Sequence, residues 1–172
     1  MPEKPLVGIV MGSDTDLPVM TDAALTLKKF QIPFEIEITY AHRSPVRTSE
    51  YALTAVQRGL KAIIVGAGGA SHLAGVIAAE TILPVIGVPM ATTTLAGLDA
   101  LLSTVQMPGG VPVACTAIGK PGAINAAIFA AQIIATSDPA TAQKLVAHKE
   151  QLARAVAEKS EKLKREFKCS DE

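Results

Sequence analysis

Five times along the chain a short β-rich apolar run gives way to a stretch with helical spacing, at intervals too long for hairpins. The apolar runs occupy residues 6–11, 34–40, 62–65, 84–88 and 111–116. Strands joined by helix-length connections pair parallel, through right-handed crossovers that put helices on both faces of the sheet. The expected fold class is therefore α/β, a three-layer open parallel sheet. Residues 62–65 have no polar position, as a strand buried on both faces requires. Residues 34–40 alternate instead, which predicts a strand with one wetter face.

Local chemistry bounds the helices. Asp16 can cap the first, Pro18 fits its first turn, and Met20, Ala23, Ala24, Leu27 and Phe30 recur at helical spacing. Ser44 as cap and Pro45 as first residue open the second, which Gly59 ends. Further helices are expected over 71–81, 98–105 and 123–135. After Asp138-Pro139 the composition turns charged, with an apolar stripe at Leu145, Leu152, Val156, Leu163 and Phe167. Residues 1–138 read as one catalytic α/β domain and 139–172 as a helical arm. So long an amphipathic helix outruns a compact domain; its stripe either lies on its own domain or, the favoured reading, packs on a neighbouring subunit.

Composition narrows the class. Hydrophobic residues make up 49% of the chain but aromatics only 3%, so small aliphatics must build the core. Formal net charge is zero, without the basic stripe of a nucleic-acid or anionic-membrane binder. No apolar run reaches membrane-spanning length, and the first residues lack a signal-peptide pattern, so a cytoplasmic location is expected. Cys115, in an apolar run, is expected to be a buried small hydrophobe, and Cys169 a spectator in the charged tail. Two such cysteines make no disulfide scaffold.

Three loops follow strands and precede helices: Gly12-Ser13-Asp14-Thr15-Asp16, Ala41-His42-Arg43-Ser44-Pro45 and Gly66-Ala67-Gly68-Gly69-Ala70-Ser71-His72-Leu73-Ala74-Gly75. In an open parallel sheet all three emerge at the carboxyl edge, where such sheets bind ligands. Together they bring imidazole, guanidinium, carboxylates, hydroxyls and bare backbone to one place, which suits an anionic small molecule and proton transfer. His42 is the leading proton carrier, since imidazole titrates nearest neutrality; the alternative is a histidine that only braces its loop. Arg43 can bind phosphate bidentately or pair with Asp14 or Asp16. Ser13 lies where helix amides favour an anion. Asp16 either caps its helix or accepts from ribose hydroxyls, and Asp14 could do either or neither. Side-chain-free residues at Gly68 and Gly69 let backbone approach a flat ligand. His72 reads as pocket wall ahead of second acid/base, and His148 as solvated surface. Lys120 either balances an anion or is a turn lysine, and residues 106–112 form a glycine-proline loop suited to a site wall. The histidines have no carboxylate or cysteine cluster at ligand spacing, so no metal is expected.

These three motifs, with Gln106-Met107-Pro108-Gly109-Gly110-Val111-Pro112-Val113 and Asn125-Ala126-Ala127, resemble N5-carboxyaminoimidazole ribonucleotide mutase, over about residues 6 to 136. The resemblance implies a flavodoxin-like or Rossmann-like architecture and an isomerase of purine synthesis that uses no cofactor. A carboxylate would move from the exocyclic nitrogen of aminoimidazole ribonucleotide to a ring carbon, by decarboxylation and recarboxylation of trapped CO2. It makes His42 the acid/base and puts Ser13, Asp16 and Arg43 on phosphate and ribose, with Asp14 counted among the substrate-binding residues beside them. Ala41 and the loop Gly68, Gly69, Ala70, Ser71, His72 and Leu73 would enclose the imidazole and CO2. It also implies a homo-octamer with sites at subunit junctions, binding a small ribonucleotide and neither nucleic acid nor membrane. A sister branch carboxylates aminoimidazole ribonucleotide directly and carries lysine after the histidine and an Arg-Ser pair in the glycine loop; Arg43 and Gly68-Gly69-Ala70 side with the mutase. Three positions depart from the mutase pattern: Tyr40 replaces serine, Ala74 proline and Ser71 alanine. Direct carboxylation, or nucleotide binding without catalysis, are the alternatives these leave open.

Overall fold

The computed structural model describes residues 4–168. Strands β1 (Val7–Met11), β2 (Phe34–Ile38), β3 (Ala62–Gly68), β4 (Val85–Met90) and β5 (Ala114–Cys115) form one sheet in the order β2-β1-β3-β4-β5. Every neighbouring pair is parallel. The helices are α1 (Leu17–Lys29), α2 (Pro45–Arg58), α3 (Leu73–Glu80), α4 (Leu98–Val105), α5 (Lys120–Ala135) and α6 (Pro139–Lys168). This is the flavodoxin-like three-layer arrangement expected from the alternation, with the long terminal helix appended.

The period of two along the strands divides the core. Val7, Ile9, Met11, Ile64, Ile86 and Val88 face a cluster completed by Met20, Leu27 and the alanines of α1 and α5. Val10, Ile63 and Val65 face the opposite layer, where Tyr51, Leu60, Leu73 and Ile77 pack from α2, α3 and their connections. Small residues let the layers close. A Cβ on Gly66 would stand 2.6 Å from both Met20 Sδ and Met90 Cε, so a larger residue there would make these two core methionines shift. Because β1 lies between β2 and β3, the chain leaves β1 for α1 on one face and β3 for α3 on the other. The crevice between those departures opens at the carboxyl edge.

Several boundaries differ from expectation, each for a reason outside the local pattern. β3 runs three residues further, into the glycine loop, because β4 continues alongside and pairs Ala67 with Pro89 and Gly68 with Met90. Pro89 is tolerated because its carbonyl accepts from Gly119 N (2.9 Å), so its missing N–H faces the side where β5 has already ended. β5 itself is two residues long rather than six, and Cys115 is half-buried there instead of buried. Cys169 lies outside the described residues.

Asp138 caps α6, accepting from Thr141 N at 3.1 Å and Ala140 N at 3.3 Å. The first turns of α6 are docked: Leu145 is buried, and Lys144 Nζ donates to the Phe30 carbonyl at the end of α1 (2.9 Å). His148 packs edge-on against Phe30 with ring centroids 5.4 Å apart, so it is not the solvated residue expected. Beyond it every residue from 149 to 167 is exposed, including Leu152, Val156, Leu163 and Phe167.

Candidate active site

Three strand-to-helix loops meet over the crevice, each fixed by its own hydrogen bonds. At the first, Gly12 N donates to Gly66 O (3.1 Å), tying the end of β1 to β3. A short 3-10 turn, Asp14–Asp16, follows; Ser13 Oγ caps it by accepting from Thr15 N at 3.2 Å. Asp16 makes no side-chain cap to α1, which removes the capping reading. The residue is only 4% exposed. That burial, reinforced by the neighbouring Asp14 charge and opposed by a Ser13 backbone donor, pushes its carboxyl up to about 6.

The second loop is anchored through hydroxyls. Ser44 Oγ accepts from Tyr40 N (2.9 Å) rather than from the α2 amides, so it braces the turn instead of capping the helix. Thr39 and Thr48 share a buried 2.8 Å hydrogen bond beneath. The turn between them holds Ala41, His42 and Arg43 outward. Arg43 forms no ion pair among the described residues with Asp14, Asp16 or any other carboxylate. Its Cζ instead lies over the Tyr40 ring, 5.1 Å from the centroid.

The third loop turns at Gly69, whose φ of +60° lies in the left-handed region that favours glycine. Ser71 N donates to Ser103 Oγ at 3.1 Å and Ser71 Oγ to Ala67 O at 3.1 Å, while Thr104 donates to Ser71 Oγ at 3.0 Å. The loop is thus pinned to α4, with His72 at the mouth of α3.

Between the loops lies a cavity of about 230 Å³. His42 Nε2 and His72 Nδ1 are hydrogen-bonded across it at 2.8 Å, with ring planes at 88°. Such a bond needs a proton on one facing nitrogen and a lone pair on the other. The pair is a unit that can give up a proton at one outer nitrogen and take one at the other.

Of the residues singled out from sequence, Ser13, Asp16, Ala41, His42 and Arg43 line this cavity, as do Gly68, Ala70, His72 and Leu73. Asp14, Gly69 and Ser71 do not line it. The Asp14 carboxylate accepts from Ser13 Oγ (3.2 Å), Gly69 makes the turn, and the Ser71 hydroxyl points into the loop. Lys120 pairs with Asp22 at 3.1 Å, and residues 106–112 lie outside the cavity of this chain.

Gly12, Thr15, Ala67 and Thr92 line it without having been singled out. Thr92 had a readable signal, because it opens a threonine run just past a strand's carboxyl end. Its side chain occupies the space that a Cβ on Gly68 would take, running into Thr92 Oγ1.

The chain as a whole is similar to known proteins. The AIR carboxylase family model matches residues 6–155. The N5-carboxyaminoimidazole ribonucleotide mutase of Thermotoga maritima is 55% identical over 159 residues, covering 92% of this chain and 92% of its own. That of Bacillus subtilis is 52% identical over 160 residues, covering 93% and 99%. The crystal structure of Treponema denticola PurE superposes with a TM-score of 0.83 at 30% identity, covering 93% of this chain and 99% of that one.

Proposed function

Because this chain belongs to the AIR carboxylase family, we propose that it is an N5-carboxyaminoimidazole ribonucleotide mutase, an isomerase of purine biosynthesis. The observation that carries this reading is identity above one half to proteins of that name, along nearly the full length of both chains.

The cavity supports a division of labour. Arg43 and Ser13 take the phosphate, and Asp16, with Asp14 behind it, takes the ribose hydroxyls. Ala41, Gly68, Ala70, His72 and Leu73 enclose the imidazole, with Gly69 and Ser71 shaping the loop behind them. In the first step the C–N bond of the N-carboxylate breaks and its electron pair stays on nitrogen. His42 gives that nitrogen a proton, and CO2 is left beside the ring. In the second step the ring carbon attacks CO2, forming the C–C bond, and His42 takes the proton that carbon sheds. The histidine ends as it began. Its 2.8 Å bond to His72 supports this role, because a second imidazole holds the first in one orientation while its charge changes. The absence of a side chain at Gly68 admits Thr92 to the wall, and the two together close that side of the cavity around CO2.

The reading extends to a homo-octamer in the cytoplasm, with residues 1–138 as the catalytic domain and 139–172 as an arm on a neighbouring subunit. The apolar residues left exposed along α6 support the arm. No helix among the described residues is long and apolar enough to cross a membrane.

Purified protein given fresh N5-carboxyaminoimidazole ribonucleotide without ATP is expected to form the carbon-carboxylated product faster than the substrate decarboxylates spontaneously. Product from aminoimidazole ribonucleotide and CO2 alone would make it the direct carboxylase. Tight ribonucleotide binding without turnover would make it a binding paralogue.

A further inference from the structure

We propose that Tyr40 is a positioning residue for Arg43: its ring holds the guanidinium against the cavity wall, ready for the phosphate of the ligand. This rests on the reading of the cavity as a ribonucleotide site. Both residues line the cavity, and the guanidinium carbon stands 5.1 Å from the ring centroid. Cation–π attraction holds a guanidinium over an aromatic face without using up its N–H donors, which stay free for a bidentate acceptor. A carboxylate partner would occupy those same donors. Arg43 has none among the described residues, although Asp14 and Asp16 lie on the adjoining loop.

The platform is rigid where the arginine is not. Tyr40 N donates to Ser44 Oγ at 2.9 Å, and Tyr40 O accepts from Ser44 N at 3.0 Å and from Thr48 Oγ1 at 3.3 Å. Thr48 is buried and bonded to Thr39. Arg43, by contrast, is an exposed side chain with many rotamers. Holding it on a fixed ring before the ligand arrives lowers the entropy lost on binding, and that is how a residue can raise affinity without touching the phosphate. With Arg43 assigned to the phosphate and not to the reacting carboxylate, the effect belongs to binding of substrate and transition state alike.

Ribose 5-phosphate, titrated calorimetrically, is the probe. Tyr40→Leu is expected to weaken its binding about two- to fivefold, the range of an exposed cation–π contact, while Tyr40→Phe binds as the parent does. Arg43→Lys, which leaves Tyr40 and its loop untouched, keeps the charge but loses the fork of donors and is also expected to bind more weakly. Arg43→Met is expected to lose more, and adding Tyr40→Leu to it to cost nothing further. In turnover, Tyr40→Leu is expected to raise KM by the same factor with kcat unchanged. Parent-like binding by Tyr40→Leu, an equal loss in the Arg43→Met background, or no binding of the probe by the parent would each overturn the proposal. Failure of the parent to turn over N5-carboxyaminoimidazole ribonucleotide, with this binding cycle intact, would overturn the assigned reaction and leave Tyr40's role standing.

Discussion

His42 and His148 are the same side chain in two kinds of surroundings, and the contrast separates chemistry from packing. His42 stands at the sheet's carboxyl edge, hydrogen-bonded to a second imidazole and lining a cavity. His148 lies in the seam between α1 and α6, edge-on to Phe30, with its Nδ1 buried and unpartnered. A histidine becomes a proton carrier through what its two nitrogens meet, and the polar edge supplies partners that the seam does not. The same division holds for carboxyls. Asp16 is buried beside a ligand-sized space with no ion pair among the described residues, whereas Asp22 lies against Lys120.

The widest separation is expected from removing each histidine. His42→Asn should fold as the parent does yet lose turnover by about 10²- to 10⁴-fold, the scale of general acid–base catalysis, whereas His148→Asn should leave turnover unchanged. Steady-state rates on the N-carboxylated substrate decide this. Equal rates for the two variants would remove the distinction.

Asp16 sharpens the comparison through pH. Its carboxyl sits at about 6 when folded, above the ordinary 3.8, so the folded state binds more protons between those values. Stability from this group is full below about pH 4 and is lost as pH rises through 6, a change on the order of 3 kcal/mol. Asp16→Asn is therefore expected to melt higher than the parent at pH 7 to 8, with the gap closing towards pH 4, and to bind ribonucleotide less well. A melting difference that does not vary with pH would contradict the role given to burial.

Along α6 the docked turns and the exposed length invite a direct test. Leu145→Ala is expected to cost about 2 kcal/mol in denaturant unfolding. Leu152→Ala should stay within about 0.5 kcal/mol for the isolated subunit. A larger cost for Leu152→Ala in the assembled protein, read by sedimentation against concentration, would place a second copy on that stripe.

The smallest effect is expected in the seam itself. Burial first, and the Lys29 ammonium second, hold the His148 imidazole below its ordinary value, so protonation favours the unfolded chain. Its contribution to stability is present above about pH 6.5 and is lost as the pH falls below that. His148→Phe keeps a ring against Phe30 and should flatten the pH slope of stability in that window.

The alternation of runs was enough to read the sheet and its two covering layers, and α4 falls on the expected residues 98–105. Where reading failed, the missing information lay across the chain. The end of β3 depends on β4 continuing beside it, and the shortness of β5 on how soon the sheet loses its edge. Nothing local to Val111-Pro112-Val113 shows either. His148 read as surface because its neighbours in sequence are charged, whereas its neighbour in space is Phe30. At the site, the three loops were legible from their place after strands. The bond between His42 and His72 was not, since thirty residues separate them and only the adjacency of the second and third loops brings them together. Ser71 shows the limit in the other direction: its place in the glycine loop suggested ligand contact, and its hydroxyl turns inward to Ala67.

The most direct measurement is the fate of carbon. N5-carboxyaminoimidazole ribonucleotide labelled with carbon-13 in its carboxylate would be converted in excess unlabelled bicarbonate, with the product read by mass spectrometry. Retention of the label is expected, because the cavity hands the same CO2 from nitrogen to carbon. A product carrying unlabelled carboxylate would mean that CO2 is drawn from solution, and direct carboxylation would replace the mutase reading.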